Sequence, residues 1–314
     1  MPRLTTERYL QARAFLLDHA RPLELTLFEH DFEGAPAWPV LDALAAFQND
    51  DGGFGHGLEP DAHTPTSGAL ASSVALRVLA GIGAPPSHPM VKSLAEYLID
   101  SLDEANGTWR IVPPDAADYP HAPWWARDGL AERFHGYKLN PKAEIVAHLH
   151  GLVADVDRDW LEELSRSVLR EVEAQLAGEG SGLEMHDLQA ACRLLDAAGV
   201  PGDIRQPLRQ LLTAAARAAL NGGASGGYGP RALTLAPRPD SSLADALADN
   251  VVLELDSLLA EQADDGAWWP VWDWGAAAGS ADAAAWEESR TAWAGVITLD
   301  NLRALRAHGL IDRG

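Results

Sequence analysis

One phrase occurs twice, close to opposite ends of the chain. Residues 44–54 read L-A-A-F-Q-N-D-D-G-G-F, and residues 258–268 read L-L-A-E-Q-A-D-D-G-A-W. Both fit L-x-x-x-Q-x-x-x-G-x-aromatic, with Asp-Asp just before the glycine. Each follows apolar residues at helical spacing, so each marks a helix end and a tight turn. A glycine there supplies the left-handed backbone that ends a helix. Duplication in this detail points to a repeat architecture, in which each unit is a helix pair.

The remainder of the chain agrees with an all-α fold. Helix-period apolar residues run through Trp38, Leu41, Leu44 and Phe47, and through Leu161, Leu164, Val168, Val172 and Leu176. Further helical stretches span 188–195, 208–220, 251–259 and 293–305, giving about ten to twelve helices in all. The best strand-like stretch, 108–112, is short. Partial copies of the phrase are Gly107 with Trp109 and Gly226 with Tyr228; the turn near Gly182 lacks the aromatic. Residues 110–140 and 222–242 break the rhythm with prolines and glycines, as lids and binding loops do. No stretch reads as a flexible linker, so a single domain over 1–314 is expected, with the segment 1–30 packing as a helix on the rest.

Composition narrows the function. The chain carries 24 basic and 46 acidic side chains, a net charge of −22. That balance opposes binding to duplex nucleic acid or anionic membranes. Cys192 is the only cysteine, which excludes an intramolecular disulfide. The N-terminal residues lack a signal-peptide core, and no apolar run reaches a membrane span of about 18–20 residues. A cytoplasmic protein without membrane insertion is the expectation.

The repeated phrase resembles the Q-x-x-x-G-x-W motif of the terpenoid cyclase and protein prenyltransferase superfamily. Gln262, Gly266 and Trp268 match it in full, while Gln48, Gly52 and Phe54 match with Phe for Trp. The resemblance implies an α/α toroid, in which concentric helices are joined by such turns. It implies a structural role for the motif itself, with Gln holding a helix end and the aromatic stacked. The family's catalytic signatures are missing. No D-x-D-D occurs; Asp155, Asp157 and Asp159 give only its first half. Asp50-Asp51 and Asp264-Asp265 lack the third acid of D-D-x-x-D. Cys192 lacks a D-x-C zinc arrangement and reads as a buried small residue.

Two segments carry candidate chemistry. After the first copy comes G-H-G-L-E-P-D-A-H-T, residues 55–64. Glu59, Asp61 and His63 alternate, which in an extended segment puts their side chains on one side. A carboxylate beside an imidazole can serve as a general acid; alternatively Asp61, Thr64 or Thr66 caps the next helix. After the second copy come Trp268, Trp269, Trp272 and Trp274. Tryptophan faces can stabilise carbocations or stack on sugars, or simply pack between helices. Phe54, Trp109, Trp125 and Tyr228 complete the candidate substrate-binding set, with Trp124, His121 and His135 near Trp125. No P-loop or H-E-x-x-H occurs, and His148 and His150 face different ways on a helix. No metal site or cofactor is therefore expected.

Three functions follow. In the first, a terpenoid-cyclase-like enzyme acts on an isoprenoid or other apolar small molecule, with Asp61, Glu59 or His63 as proton donor. The second is a carbohydrate-active hydrolase or lyase on an α/α barrel, pairing Glu59 or Asp61 with Asp273. The third is a non-catalytic toroid that binds a ligand or partner.

Overall fold

The structure is a computed structural model. It describes residues 2–126, 139–152, 156–178, 182–222, 228–275 and 281–312. Among these residues the fold is all-helical, with twelve α-helices and only isolated β-bridges. The strand-like stretch at 108–112 forms no strand. Thr108 makes a single bridge to Asp103, because the Asn106-Gly107 turn closes over just those residues. The chain packs into two compact units, Met1–Leu44 with Ala224–Gly314, and Ala45–Gly223.

The second unit holds α4 (Ala69–Gly81), α5 (Pro89–Asp100), α6 (Lys142–Leu152), α7 (Arg158–Ala177), α8 (Met185–Asp196) and α9 (Gly202–Asn221). They pack as sequential pairs α4–α5, α6–α7 and α8–α9. The first members form one row, α4–α6–α8, and α7 packs on α9 in a second row. The side chains explain this layering. Helix α6 buries eight of its eleven residues, Lys142 and Glu144 among them. A helix enclosed on nearly every side must sit between others. Helix α7 instead buries the single stripe Leu161, Leu164, Ser165, Val168 and Val172, as a surface helix does. Asp157 starts α7 by accepting the Trp160 N–H at 2.9 Å.

The first unit holds α1 (Thr6–His19), α2 (Pro22–Phe28), α3 (Trp38–Ala45), the short α10 (Ala232–Leu235), α11 (Ala248–Glu261) and α12 (Ala281–Ala307). The N-terminal segment forms two helices rather than one, because Pro22 cannot continue α1 and instead occupies the start of α2. Both pack on α12. Arg303 of α12 reaches Asp31 at 2.7 Å, and the Arg306 guanidinium lies 4.3 Å over the Phe32 ring. In α3 the buried residues are Val40 and Leu44, while Trp38 is 63% exposed. The stripe expected through Trp38 is thus rotated, with its first residue in solvent. No helix among the described residues is long and apolar enough to cross a membrane.

Candidate functional site

The two copies of the repeated phrase build the same turn. Gln48 Nε2 donates to Gly52 O at 3.0 Å, and Gln262 Nε2 donates to Gly266 O at 2.8 Å. The Asn49 N–H meets Gly53 O, and the Ala263 N–H meets Ala267 O, both at 2.9 Å. Asp51 accepts the Gly53 N–H at 2.9 Å, and Asp265 accepts the Ala267 N–H at 3.0 Å. Gly52 and Gly266 sit at φ 87° and 92°. Each presses on the backbone of a neighbouring helix: an added Cβ would lie 2.3 Å from Ser93 O at Gly52 and 2.3 Å from Gln11 O at Gly266. The same Gln side chains donate to those helices, Gln48 to Ser93 Oγ and Gln262 to Arg8 O, both at 3.0 Å. The turn therefore clamps one helix end onto an adjacent helix.

The turn aromatics are taken up by this packing. Phe54, Trp109 and Trp268 are buried. The Trp109 indole N–H donates to Leu98 O at 2.7 Å, and that of Trp268 to Leu258 O at 2.8 Å. Each indole closes the C-terminal end of the helix before its turn.

The segment after the first copy is folded into a tight loop. It is not extended, as the alternation of Glu59, Asp61 and His63 would need. Leu58 N–H to Gly55 O and Ala62 N–H to Glu59 O close successive turns. His56 and Gly57, at φ 55° and 73°, reverse the chain. Asn49 anchors the loop, its Nδ2 donating to Pro65 O and Ser67 Oγ at 2.9 Å and its Oδ1 lying 2.8 Å from His56 Nε2. Neither Asp61, Thr64 nor Thr66 caps α4, whose N-cap is Gly68; Thr66 bonds to Asp115 instead, at 2.6 Å. Tyr97 lies against the turn, and burial together with the Asp51 charge pushes its hydroxyl up to about 12.

Glu59 and Asp61 are both buried, and His63 is half-buried. Glu59 accepts the Asp61 N–H at 3.1 Å, Asp61 O accepts the Ala122 N–H at 2.8 Å, and His63 Nε2 is 3.1 Å from Pro60 O. Glu59 lines a pocket walled by Ala62, Leu70, Ile111, Val112 and Pro113. Its free volume is about 10 Å³, room for about one water molecule.

The aromatics after the second copy divide into two groups. Trp272 stands edge-on to both Tyr228 and Trp293, with centroids 5.4 and 5.3 Å apart. The indole N–H groups of Trp272 and Trp293 are enclosed and have no hydrogen-bond partner among the described residues. Trp274 is buried beside Trp286 at 5.7 Å. Trp269 packs on Phe15 and under Arg290, which lies 4.3 Å from its ring. Tyr228 is 45% exposed and is the most open ring of the set. Asp273 is exposed and caps the Gly275 N–H at 2.6 Å. Trp125 is buried, with Trp124 half-buried beside it. His135, Asp155 and Gly226 lie outside the described residues.

A polar network in the second unit has no counterpart in the sequence expectations. Glu144 on α6 is buried between Arg77 of α4, whose Nε is 3.1 Å away, and Arg193 of α8, which donates to its other oxygen. Burial opposes its charge, but Arg193 and Arg77 outweigh that and hold the carboxyl well below its usual range. Asp187, also fully enclosed, accepts the Asn140 N–H at 2.8 Å. There burial wins and raises the carboxyl to about 7, against the lowering effect of that hydrogen bond. Lys142 is enclosed and pairs with Glu171 at 2.6 Å. The only local hint was Glu144 one turn before His148; the arginines arrive from distant helices. Cys192 is buried, and burial pushes its thiol up. His150 bonds to Ser165 Oγ at 2.8 Å, and no group of His, Cys, Asp and Glu among the described residues is arranged to hold a metal ion.

No protein-family model, curated protein or solved structure matches this chain.

Proposed function

We propose that the chain is an α/α toroid of the terpenoid-cyclase type that acts on an isoprenoid or other apolar substrate, with the Glu59–His63 loop as its proton-donating centre. Support for the toroid comes from the two-row helix packing of the second unit and from turns that clamp helix ends in the manner of the family motif. One observation carries the chemistry: the buried Glu59 carboxyl lines an apolar pocket directly after such a turn. A carboxyl that faces a cavity shielded from bulk water can act as a general acid toward a group placed there. Asp61, whose N–H is bound by Glu59, orients that side chain. Product analysis after incubation with linear isoprenoids tests the reading. Glu59→Gln should abolish turnover and Asp61→Asn should reduce it, both with an unchanged denaturation midpoint. Full turnover in both variants would sink the assignment.

A non-catalytic toroid that binds a ligand or partner away from this pocket is the second reading, since the pocket beside Glu59 is too small to enclose a substrate. Room for about one water is far below the roughly 300–1,000 Å³ of ordinary ligand pockets. Retention of an apolar ligand without any product, detected by native mass spectrometry, would select it.

A further inference from the structure

Two helix pairs correspond residue by residue, although only one is joined by a short loop. In the second unit the turn at 48–54 leads to α4, which ends at Gly83, and residues 84–88 connect it to α5. In the first unit the turn at 262–268 leads to α12, which ends at Gly309, and α1 packs beside it. The Phe54 N–H donates to Ser72 Oγ of α4 at 3.1 Å, and the Trp268 N–H to Thr298 Oγ1 of α12 at 3.0 Å. Ala84 N–H to Leu79 O at 2.9 Å and Leu310 N–H to Leu305 O at 2.8 Å close the two helices, with Gly83 and Gly309 at φ 65° and 68°. The offset in numbering is the same for Ser72 and Thr298, Leu79 and Leu305, and Gly83 and Gly309. A second constant offset relates α5 to α1. Ser93 and Gln11 meet the turn glycines, Tyr97 borders Gly53 as Phe15 packs on Ala267, and Leu98 and Leu16 follow as buried residues.

We propose that α1 is a clasp, which completes the helix pair of α12 without a loop and leaves that place as a unit by turning at Ala20-Arg21. Where residues 84–88 join α4 to α5, backbone pairing holds α12 to α1. The Leu4 N–H donates to Leu310 O at 2.8 Å and the Asp312 N–H to Leu4 O at 2.9 Å, beside the exposed Arg3–Asp312 pair at 3.4 Å. A joint of this kind opens by local unfolding, whereas a covalent loop keeps its helix in place. Ala20 and Arg21 are extended and separate α1 from α2, so rotation there moves α1 as one body. Its inner contacts are few and release together: Gln262 Nε2 to Arg8 O at 3.0 Å, Arg8 Nη1 to Gln262 O and Ala263 O at 3.3 Å, and Phe15 on Ala267, Ala294 and Trp269. Release uncovers that apolar cluster and the Gln262 amide. The clasp is separate from the Glu59 loop and does not rest on its reading.

Native-state amide exchange on the full chain tests the proposal, with α5 as the internal reference. The amides of α1 should exchange as one group, and about tenfold or more faster than those of α5. A circular permutant then moves the joint. A glycine-serine linker connects Asp312 to Arg3, and the chain is opened between Pro86 and Ser87. The order should reverse, with α5 becoming the fast helix and α1 the slow one. Exchange of α1 no faster than that of α5 in the wild-type chain overturns the clasp, as does an unchanged order in the permutant. If the permutant does not fold, the wild-type comparison decides.

Discussion

The turns at 48–54 and 262–268 share one skeleton and differ at two positions that matter. Gln, Gly and the aromatic superimpose in role: a side-chain amide on the glycine carbonyl, a left-handed glycine against a neighbouring helix, and a ring in the core. The differences are Asn49 against Ala263, and Gly53 against Ala267. Ala267 packs its methyl into a cluster with Phe15 and Ala294. At Gly53 that methyl would lie 2.6 Å from Ser67 Cβ and 2.8 Å from the Tyr97 ring. Asn49 meanwhile ties down the same loop through three polar contacts. What the turns share is therefore structural, and what separates them serves the loop that carries Glu59 and Asp61.

The largest test of the shared skeleton is at the glycines. Gly52→Ala and Gly266→Ala each force a left-handed residue into backbone, so each should cost more than about 3 kcal/mol by chemical denaturation. A loss under about 1 kcal/mol in either would end the equivalence. Gln262→Ala strands buried carbonyls and should cost about 1–3 kcal/mol. Gln48 is half-buried, so water can replace part of its bonding and Gln48→Ala should cost less. Equal losses would show that exposure does not separate the two copies.

Asp187 lets the second unit be followed by pH. Its carboxyl titrates near 7 in the folded chain and near 3.8 when unfolded, so the folded state binds more protons between those values. Stability associated with this group is full below about pH 4 and falls as pH rises through 7. Asp187→Asn should thus match wild type near pH 4 and exceed it at pH 8 by up to about 4 kcal/mol, at about 1.4 kcal/mol per pH unit. A variant less stable than wild type at pH 8 would contradict the burial argument. Smaller again is Trp268→Phe, which loses the bond to Leu258 O and little volume; about 1 kcal/mol is expected. Last comes Asn49→Ala, expected to change the global midpoint by under about 1 kcal/mol while amide exchange speeds up across 55–67. Uniform exchange throughout the loop and α4 would mean that Asn49 holds the unit and not the loop.

Much of this was legible from residue order, and the limits are physical. The repeated phrase announces helix ends because its glycines need a left-handed backbone, a local requirement. The stripe of α7 and the cap at Asp157 are local in the same sense. The alternation of Glu59, Asp61 and His63 would share one side only in an extended segment, and it carries no signal of the reversal at His56-Gly57 that folds the loop. Trp109 and Trp268 read as possible ligand contacts, since composition cannot show that their indole N–H groups are already bound to helix carbonyls.

The amino-acid sequence by itself determined that this protein is helical, where two of its turns fall, and which residues those turns require. Only the tertiary structure decided that α6 is enclosed, that Glu144 gathers arginines from two other helices, and that Asp187 is buried against Asn140. Turn and helix signals rest on contacts between residues a few positions apart. Burial and charge pairing join residues 47 to 67 positions apart, as in Asn140 with Asp187 and Arg77 with Glu144, and the order of residues does not encode those meetings.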